Sequence, residues 1–136
     1  MCAEIRLHIS HFQSYFNSIH IKLRMDPKVR SAAIQAKQNV SNPSPYRDHG
    51  HNQFANELSR NLHDRGVAFE RGKPVGRGVA DIYIPGKGVV EVKAKTSGIS
   101  RSDREQVQGY ANASGEPAYL VNFGKHGNEP HFRKFK

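Results

Sequence analysis

Two aliphatic segments separated by a short turn constrain the fold of this chain more than any other feature. Residues 79–84 and 89–94 are rich in valine and isoleucine, and residues 85–88 between them read Pro-Gly-Lys-Gly. β-Branched residues favour strands, and proline with glycine favours a tight turn. The sequence therefore predicts an antiparallel hairpin whose apolar side chains face a core.

Three charged residues interrupt these aliphatic strands: Asp81 in the first, and Glu91 and Lys93 in the second. Side chains alternate along a strand, so Glu91 and Lys93 share one face. Two carboxylates side by side repel each other unless a cation lies between them, and oxygen ligands select Mg²⁺ or Mn²⁺ over softer metals. The hairpin thus predicts a metal-activated hydrolytic site. The alternative is a simple ion pair across the strands.

The register of the hairpin decides whether the two carboxylates meet. If Ile84 lies opposite Gly88, the side chains of Asp81 and Glu91 lie on the same face of the sheet. If Ile84 lies opposite Val89 instead, the carboxylates point to opposite faces, and a shared metal would require a bulge. We predict the first register.

The remaining segments supply the other elements of an α/β fold. Apolar residues at every fourth position predict a helix over residues 52–65, closed by Gly66. Ser102 and Glu105 have the spacing of a capping box and predict the start of a second helix, which Gly115 ends. Further strands are predicted over residues 67–70, 118–123 and 131–135, the last at the edge of the sheet.

The chain divides into two predicted parts. Residues 1–45 are predicted to form an accessory extension, and residues 46–136 the working domain. Asp26 followed by Pro27 is a favourable helix start. Within the extension, the apolar pattern predicts a strand over residues 5–9 and helices over residues 10–24 and 26–40.

The composition of the chain is basic. Its 136 residues include 21 Lys and Arg against 12 Asp and Glu, a formal net charge of +9. Such a surface attracts polyanions, most often nucleic acids. The residues near the hairpin and the second helix that we expect to contact nucleic acid are Arg71, Lys73, Arg77, Lys95, Arg101 and Tyr110. The alternative is that the basic ones form only a solvated rim.

The chain has one cysteine, Cys2, which excludes an intrachain disulfide and is typical of a reducing compartment. No apolar stretch approaches the roughly 20 residues that a membrane span needs, and no apolar signal-peptide segment follows Met1. We therefore expect a cytoplasmic, intracellular protein with no membrane partner, located in the host cell if the source is viral.

The order of elements and the spacing of Asp81, Glu91 and Lys93 resemble the PD-(D/E)XK nuclease superfamily. The resemblance covers residues 50–124. It implies an α/β, restriction-endonuclease-like core, in which helices flank a central mixed sheet of four to five strands in the order αβββαβ. It also implies that Asp81 and Glu91 bind the metal together with the carbonyl of Val92, and that Lys93 is catalytic.

The same resemblance assigns further residues. Many members complete the metal shell with a glutamate on the first helix, and Glu57 has that place here, so we expect it to approach the face that carries Asp81. Gln106 and Tyr110 match a glutamine and a tyrosine of the second helix, and Gln106 is a candidate catalytic residue. Ala80 stands where the name-giving proline would be, a departure that many members share.

Three branches of the superfamily fit comparably well. They are the GxxExxY-like proteins, the single-domain virus-type replication-repair nucleases and the Holliday-junction resolvases. Phe54 and Arg60 replace the glycine and the tyrosine of the first branch, so the sequence does not choose among the three.

We therefore predict a Mg²⁺-dependent DNA nuclease, with Mn²⁺ as a substitute ion, that recognises DNA structure or ends in repair, recombination or viral replication. A homodimer is compatible with the sequence. Two alternatives are a non-catalytic nucleic-acid-binding protein on the same fold, and a restriction or homing endonuclease that reads bases through residues 1–45. His49 and His51 form an H-x-H pair, but no third zinc ligand lies at a suitable spacing.

Overall fold

The computed structural model describes residues 25–136, in which helices and strands follow one another in the predicted order. The helices are α1 (Pro27–Asn39), α2 (His49–Asp64) and α3 (Arg101–Ser114). The strands are β1 (Glu70–Val75), β2 (Gly78–Ile84), β3 (Gly88–Lys93), β4 (Ala118–Asn122) and β5 (His131–Phe135). The strand and helix predicted over residues 5–9 and 10–24 lie outside the described residues.

The five strands form one mixed sheet in the order β1-β2-β3-β4-β5. Strands β3 and β4 are parallel, and the other neighbours are antiparallel. A parallel pair needs a crossover connection, which α3 supplies here. The α/β fold with a five-stranded mixed sheet flanked by helices is confirmed, and β5 lies at the edge as predicted.

Helices cover both faces of the sheet. On one face α1 and α2 pack against a cluster that includes Ile82 and Val92, and on the other α3 packs through Val107 against Leu120. The central strands β3 and β4 are therefore buried on both sides, which is typical of parallel pairs in α/β folds. Glu91 is buried within this central region, with 3% of its surface exposed.

The hairpin has the register that we predicted. Ile84 lies opposite Gly88, Tyr83 opposite Val89, and regular pairing ends at Ile82 opposite Val90. Just beyond that pair, the carboxylates of Asp81 and Glu91 come together.

Helix α1 belongs to the same core as α2. Its small apolar residues, among them Ala32 and Ala33, are fully buried, and the Asn61 amide of α2 donates to the Ala32 carbonyl at 3.0 Å. The predicted start is confirmed, because the Asp26 side chain accepts from the Lys28 amide at 2.9 Å. The extension of residues 1–45 therefore includes a helix that packs on the sheet domain, and the boundary at residue 45 stays a prediction.

Several element boundaries differ from the sequence prediction. Helix α2 begins at His49, three residues earlier than predicted. Strand β1 runs over Glu70–Val75 rather than residues 67–70, because pairing with β2 selects the segment, and an edge strand tolerates its proline. Helix α3 begins one residue earlier than predicted, with Ser100 as its cap. The capping box joins Ser100 to Asp103, whereas Glu105 pairs with Arg101 at 2.9 Å. Gly115 ends α3 in the left-handed conformation, as predicted.

No helix in residues 25–136 is long and apolar enough to cross a membrane.

Candidate active site

The carboxylates of Asp81 and Glu91 are held together by the backbone of β2 and β3. The Asp81 amide donates to Oε1 of Glu91 at 3.1 Å, and the Val92 amide donates to Oδ2 of Asp81 at 2.8 Å. Each carboxylate is thus fixed by an amide of the opposite strand. This crossed arrangement requires the register described above.

The pKa values of the two carboxyl groups are shifted in opposite directions. Burial, followed by the hydrogen bond and the charge of Asp81, raises the pKa of Glu91 to about 8. Burial alone would raise the pKa of Asp81 too, but hydrogen bonds from His51 and Glu91 outweigh it and hold that pKa below its ordinary value. At neutral pH Glu91 therefore keeps its proton beside an ionised Asp81. A cation that binds here would displace this proton.

His51, near the start of α2, is the third member of the group. Its Nε2 lies 3.0 Å from Oδ2 of Asp81, and its Nδ1 lies 3.2 Å from the side-chain oxygen of Asn52. The hydrogen bond with Asp81 is the main cause that raises the pKa of His51. The sequence had offered His51 only as half of an H-x-H pair. The other half, His49, lies edge-on against Tyr46, with 5.1 Å between ring centroids.

Lys93 lies on the same strand as Glu91, and α3 holds its ammonium group. Its Nζ donates to Oε1 of Gln106 at 3.0 Å, and the Gln106 amide donates to the Tyr110 hydroxyl at 3.1 Å. That hydroxyl in turn donates to the Val79 carbonyl at 2.9 Å. The structure thus brings Lys93, Gln106 and Tyr110 together, and their roles in a reaction stay predictions.

Asp103 is a second anchor for the lysines, and the sequence analysis missed it. Its carboxylate lies 3.5 Å from Nζ of Lys93 and 2.6 Å from Nζ of Lys95. Burial would raise the pKa of Asp103, but hydrogen bonds from Lys95 and Ser100 lower it to about 2. The spacing of Ser100 and Asp103 as a capping box was the sequence signal that could have placed this carboxylate at the start of α3.

Among the contacts that the structure describes, those of Glu57 are with residues other than Asp81 and Glu91. Oε1 of Glu57 accepts from the side-chain amide of Asn39 on α1 at 2.8 Å, and its Oε2 lies 3.7 Å from the guanidinium of Arg60. On α2 it is His51, six residues earlier, that touches Asp81. The metal role of Glu57 stays a prediction, and so does that of the Val92 carbonyl.

Most of the basic residues expected to contact nucleic acid already have partners within the chain. Arg71 donates to Asn56 and Ser59, both at 3.1 Å. Lys73 lies 3.6 Å from Glu70 and over the Tyr83 ring, and Lys95 and Arg101 pair with Asp103 and Glu105. Arg77 is exposed at the turn between β1 and β2, whereas Tyr110 is 2% exposed. Their contacts with DNA stay predictions.

The donor set fits a hard divalent cation. Within residues 25–136, no group of three or more His, Cys, Asp or Glu side chains is arranged to hold a metal ion. Mg²⁺ does not need such a cage, because it commonly uses one or two carboxylates and keeps several waters. Asp81 and Glu91 supply two carboxyl groups, and a bound cation would favour the ionised form of both.

Comparison with known families shows which family the chain belongs to. The family model of the PD-(D/E)XK nuclease superfamily matches residues 51–135, more than half of the chain. The chain belongs to the PD-(D/E)XK nuclease superfamily. No curated protein and no solved structure matches it, so the branch within the PD-(D/E)XK superfamily stays open. The matched segment begins at His51 and contains the hairpin and α3.

We expect Glu91→Gln to stabilise the metal-free protein at alkaline pH. Folding raises the pKa of Glu91 from 4.5 to about 8, so between these values the folded state binds more protons than the unfolded state. Stability therefore falls as pH rises through this window. Glutamine cannot ionise, and its oxygen can still accept from the Asp81 amide.

The check is the melting temperature of both proteins in chelator as a function of pH. The melting temperature of Glu91→Gln should exceed that of the wild type above pH 8, and the difference should shrink towards pH 5. A difference that does not vary with pH would contradict this account of the carboxylate pair.

Proposed function

We propose that this protein is a metal-dependent nuclease that hydrolyses phosphodiester bonds in DNA. The observation that carries the proposal is the crossed pair of Asp81 and Glu91, fixed by opposite strands, with Lys93 two residues along β3. A buried carboxylate pair with one raised pKa costs stability in a protein that does not use it.

We assign the metal to Asp81 and Glu91, and Mg²⁺ is the ion that their oxygen donors favour, with Mn²⁺ as a substitute. When bound, such an ion activates a water molecule and neutralises charge that develops on the phosphate. His51 positions the Asp81 carboxylate through its hydrogen bond. The amides of Asp81 and Val92 fix the rotamers of both acids, so little reorganisation is needed.

Lys93 is the proposed catalytic lysine. Gln106 and Asp103 hold its ammonium group in place. Nζ of Lys93 lies 3.0 Å from Oε1 of Gln106 and 3.5 Å from Oδ1 of Asp103. In that position a fixed positive charge stabilises the phosphate as charge builds up in the transition state. Gln106 orients Lys93 and is itself held by Tyr110.

We propose further that the nuclease recognises DNA structure or ends rather than base sequence, as an enzyme of repair, recombination or viral replication would. The support is the packing of α1. A base-reading element would have to come from residues 1–45, and in the described part of that segment, residues 25–45, the buried alanines of α1 pack in the core with α2.

A cleavage assay tests the proposed function. Purified protein is incubated in Mg²⁺ with linear, nicked, flapped and four-way DNA, and Asp81→Asn purified in the same way controls for contaminating nucleases. We expect cleavage of at least one substrate by the wild type only, with a preference that follows DNA structure rather than sequence. Binding without cleavage of any substrate would leave a nucleic-acid-binding protein and overturn the nuclease proposal.

The pair His51 and Glu57 gives a second prediction about the site. His51→Ala removes the hydrogen bond that positions Asp81, so we expect the Mg²⁺ concentration for half-maximal cleavage to rise about tenfold or more. If Glu57 keeps its contacts with Asn39 and Arg60, Glu57→Ala should leave that concentration near its wild-type value, whereas the metal role that the resemblance implies requires a comparable rise. The two variants are compared at a temperature where both are fully folded. A larger rise in the Mg²⁺ concentration for Glu57→Ala than for His51→Ala would support Glu57 as a metal ligand.

A further inference from the structure

The loop between α1 and α2 forms one wall of a cleft whose lining includes His51, the residue that contacts Asp81, but neither carboxyl group of the pair. This cleft has a volume of about 460 Å³, and its lining includes Arg47 on the loop together with His51, Lys93 and Lys95. We call residues 43–48 the cleft loop. Because His51 and Lys93 belong to the proposed site, whatever enters this cleft comes next to the reacting groups.

The cleft is basic, but most of its cations are already engaged. Lys37 donates to the carbonyls of Phe123 and Lys125, and Lys95 is paired with Asp103. Arg47 differs from them: within residues 25–136, its guanidinium has a contact with the Tyr46 ring, 5.3 Å from the ring centroid, and none with a carboxylate. It is also exposed. Arg47 is thus the cation of this wall that is available to an incoming anion.

The backbone at Arg47 is strained. Its φ is 46°, and it is the one non-glycine residue with a positive φ among residues 25–136. Side chains other than glycine adopt this conformation at a cost, and such strain concentrates at functional sites. A glycine would relieve the strain without loss of any backbone contact. The sequence therefore places an arginine at a position whose backbone conformation favours glycine.

Short-range contacts hold the cleft loop in this conformation. The Ser44 amide donates to the Gln53 side chain at 2.8 Å, and the His49 amide donates to the Tyr46 carbonyl at 3.0 Å. A side chain at Gly50 would come within 3.0 Å of the Ser44 carbonyl, so the loop packs closely on the first turn of α2. Tyr46, 57% exposed, contributes the ring that orients the guanidinium.

We propose that Arg47 binds a backbone phosphate of the DNA strand that enters this cleft, next to the phosphate that is cleaved. The inference rests on the proposed function and adds a contact residue and an entry path for the substrate strand. A planar guanidinium with five donors suits a phosphate. Tyr46 is a positioning residue, because its ring limits the rotamers of Arg47.

The test measures DNA affinity against salt for four proteins: wild type, Arg47→Ala, Arg47→Gly and the control Arg60→Ala. Arg60 lies on α2 outside the cleft lining, with a side chain that is 72% exposed. Fluorescence anisotropy of a labelled duplex in Ca²⁺ keeps the DNA intact. We expect both Arg47 variants to lose about tenfold in affinity. The slope of log affinity against log salt should become shallower by about 0.9 for one lost contact. Arg60→Ala should resemble the wild type.

Thermal stability separates this role from a structural one. Arg47→Gly should melt at the wild-type temperature or above it, because glycine adopts positive φ without strain, yet it should bind DNA as weakly as Arg47→Ala. If wild type cleaves DNA and both variants bind like wild type with an unchanged salt slope, the inference is wrong and the nuclease proposal stands. If no protein cleaves DNA but binding depends on Arg47, the nuclease proposal fails, and of the inference only the contact of Arg47 with a DNA phosphate stands.

Discussion

Lys93→Ala should lower the rate of DNA cleavage by roughly two to three orders of magnitude, the loss that follows removal of one fixed group that stabilises transition-state charge. The ammonium group of Lys93 is held 3.0 Å from Gln106 and 3.5 Å from Asp103, so its position is set before substrate binds. Because this interaction strengthens as charge develops on the phosphate, the rate should fall much more than DNA affinity.

The measurement is the single-turnover rate at saturating protein, which separates the chemical step from binding. Lys87→Ala is a matched control, because Lys87 lies in the turn of the same hairpin and its partner is Asp26 rather than a residue of the site. Removal of that surface ion pair should leave the rate close to the wild-type value. A Lys93→Ala protein that cleaves at the wild-type rate would exclude Lys93 from the catalytic role.

The hairpin could be predicted from sequence alone because its determinants are local. Valine and isoleucine select the strands, the Pro-Gly-Lys-Gly segment sets the turn, and the alternation of side chains fixes which register lets Asp81 and Glu91 meet. Helix α1 was predictable for the same reason, because Asp26 and Pro27 mark its start within the sequence.

Contacts between distant segments were not predictable in the same way. Residues His51 and Glu57 both lie on α2, and only the way α2 packs on the sheet determines which of them faces Asp81. The same holds for Asp103, because its proximity to Lys93 and Lys95 depends on how α3 crosses from β3 to β4. The resemblance to the family assigned Glu57 by its residue type and its helix, whereas in the structure it is His51 that contacts Asp81.

The strained conformation of Arg47 could not be predicted from the sequence either. The segment around it contains prolines and serines, which predict a break between helices but no particular backbone angle. Positive φ at a residue other than glycine arises only when surrounding contacts impose it, and here these come from Gln53 of α2 and from Ser44 and Tyr46 of the loop itself.

Metal dependence should have an even larger effect than loss of Lys93. Without a cation, the buried pair keeps a proton on Glu91 and a hydrogen bond from His51 on Asp81, so neither carboxyl group is prepared to activate water. The uncatalysed attack of water on a phosphodiester is far too slow to be detected in such an assay. Removal of divalent ions should therefore reduce cleavage to background.

The most direct test of the central claim is the cleavage rate of the wild-type protein as free divalent ion is removed and restored. On the DNA that the protein cleaves best, we expect no cleavage in chelator, full recovery on addition of excess Mg²⁺ or Mn²⁺, and DNA binding without turnover in Ca²⁺. Asp81→Asn should stay inactive at every ion concentration. Cleavage in chelator at the rate measured in Mg²⁺, or Mg²⁺-dependent cleavage by Asp81→Asn at the wild-type rate, would contradict a metal site formed by Asp81 and Glu91.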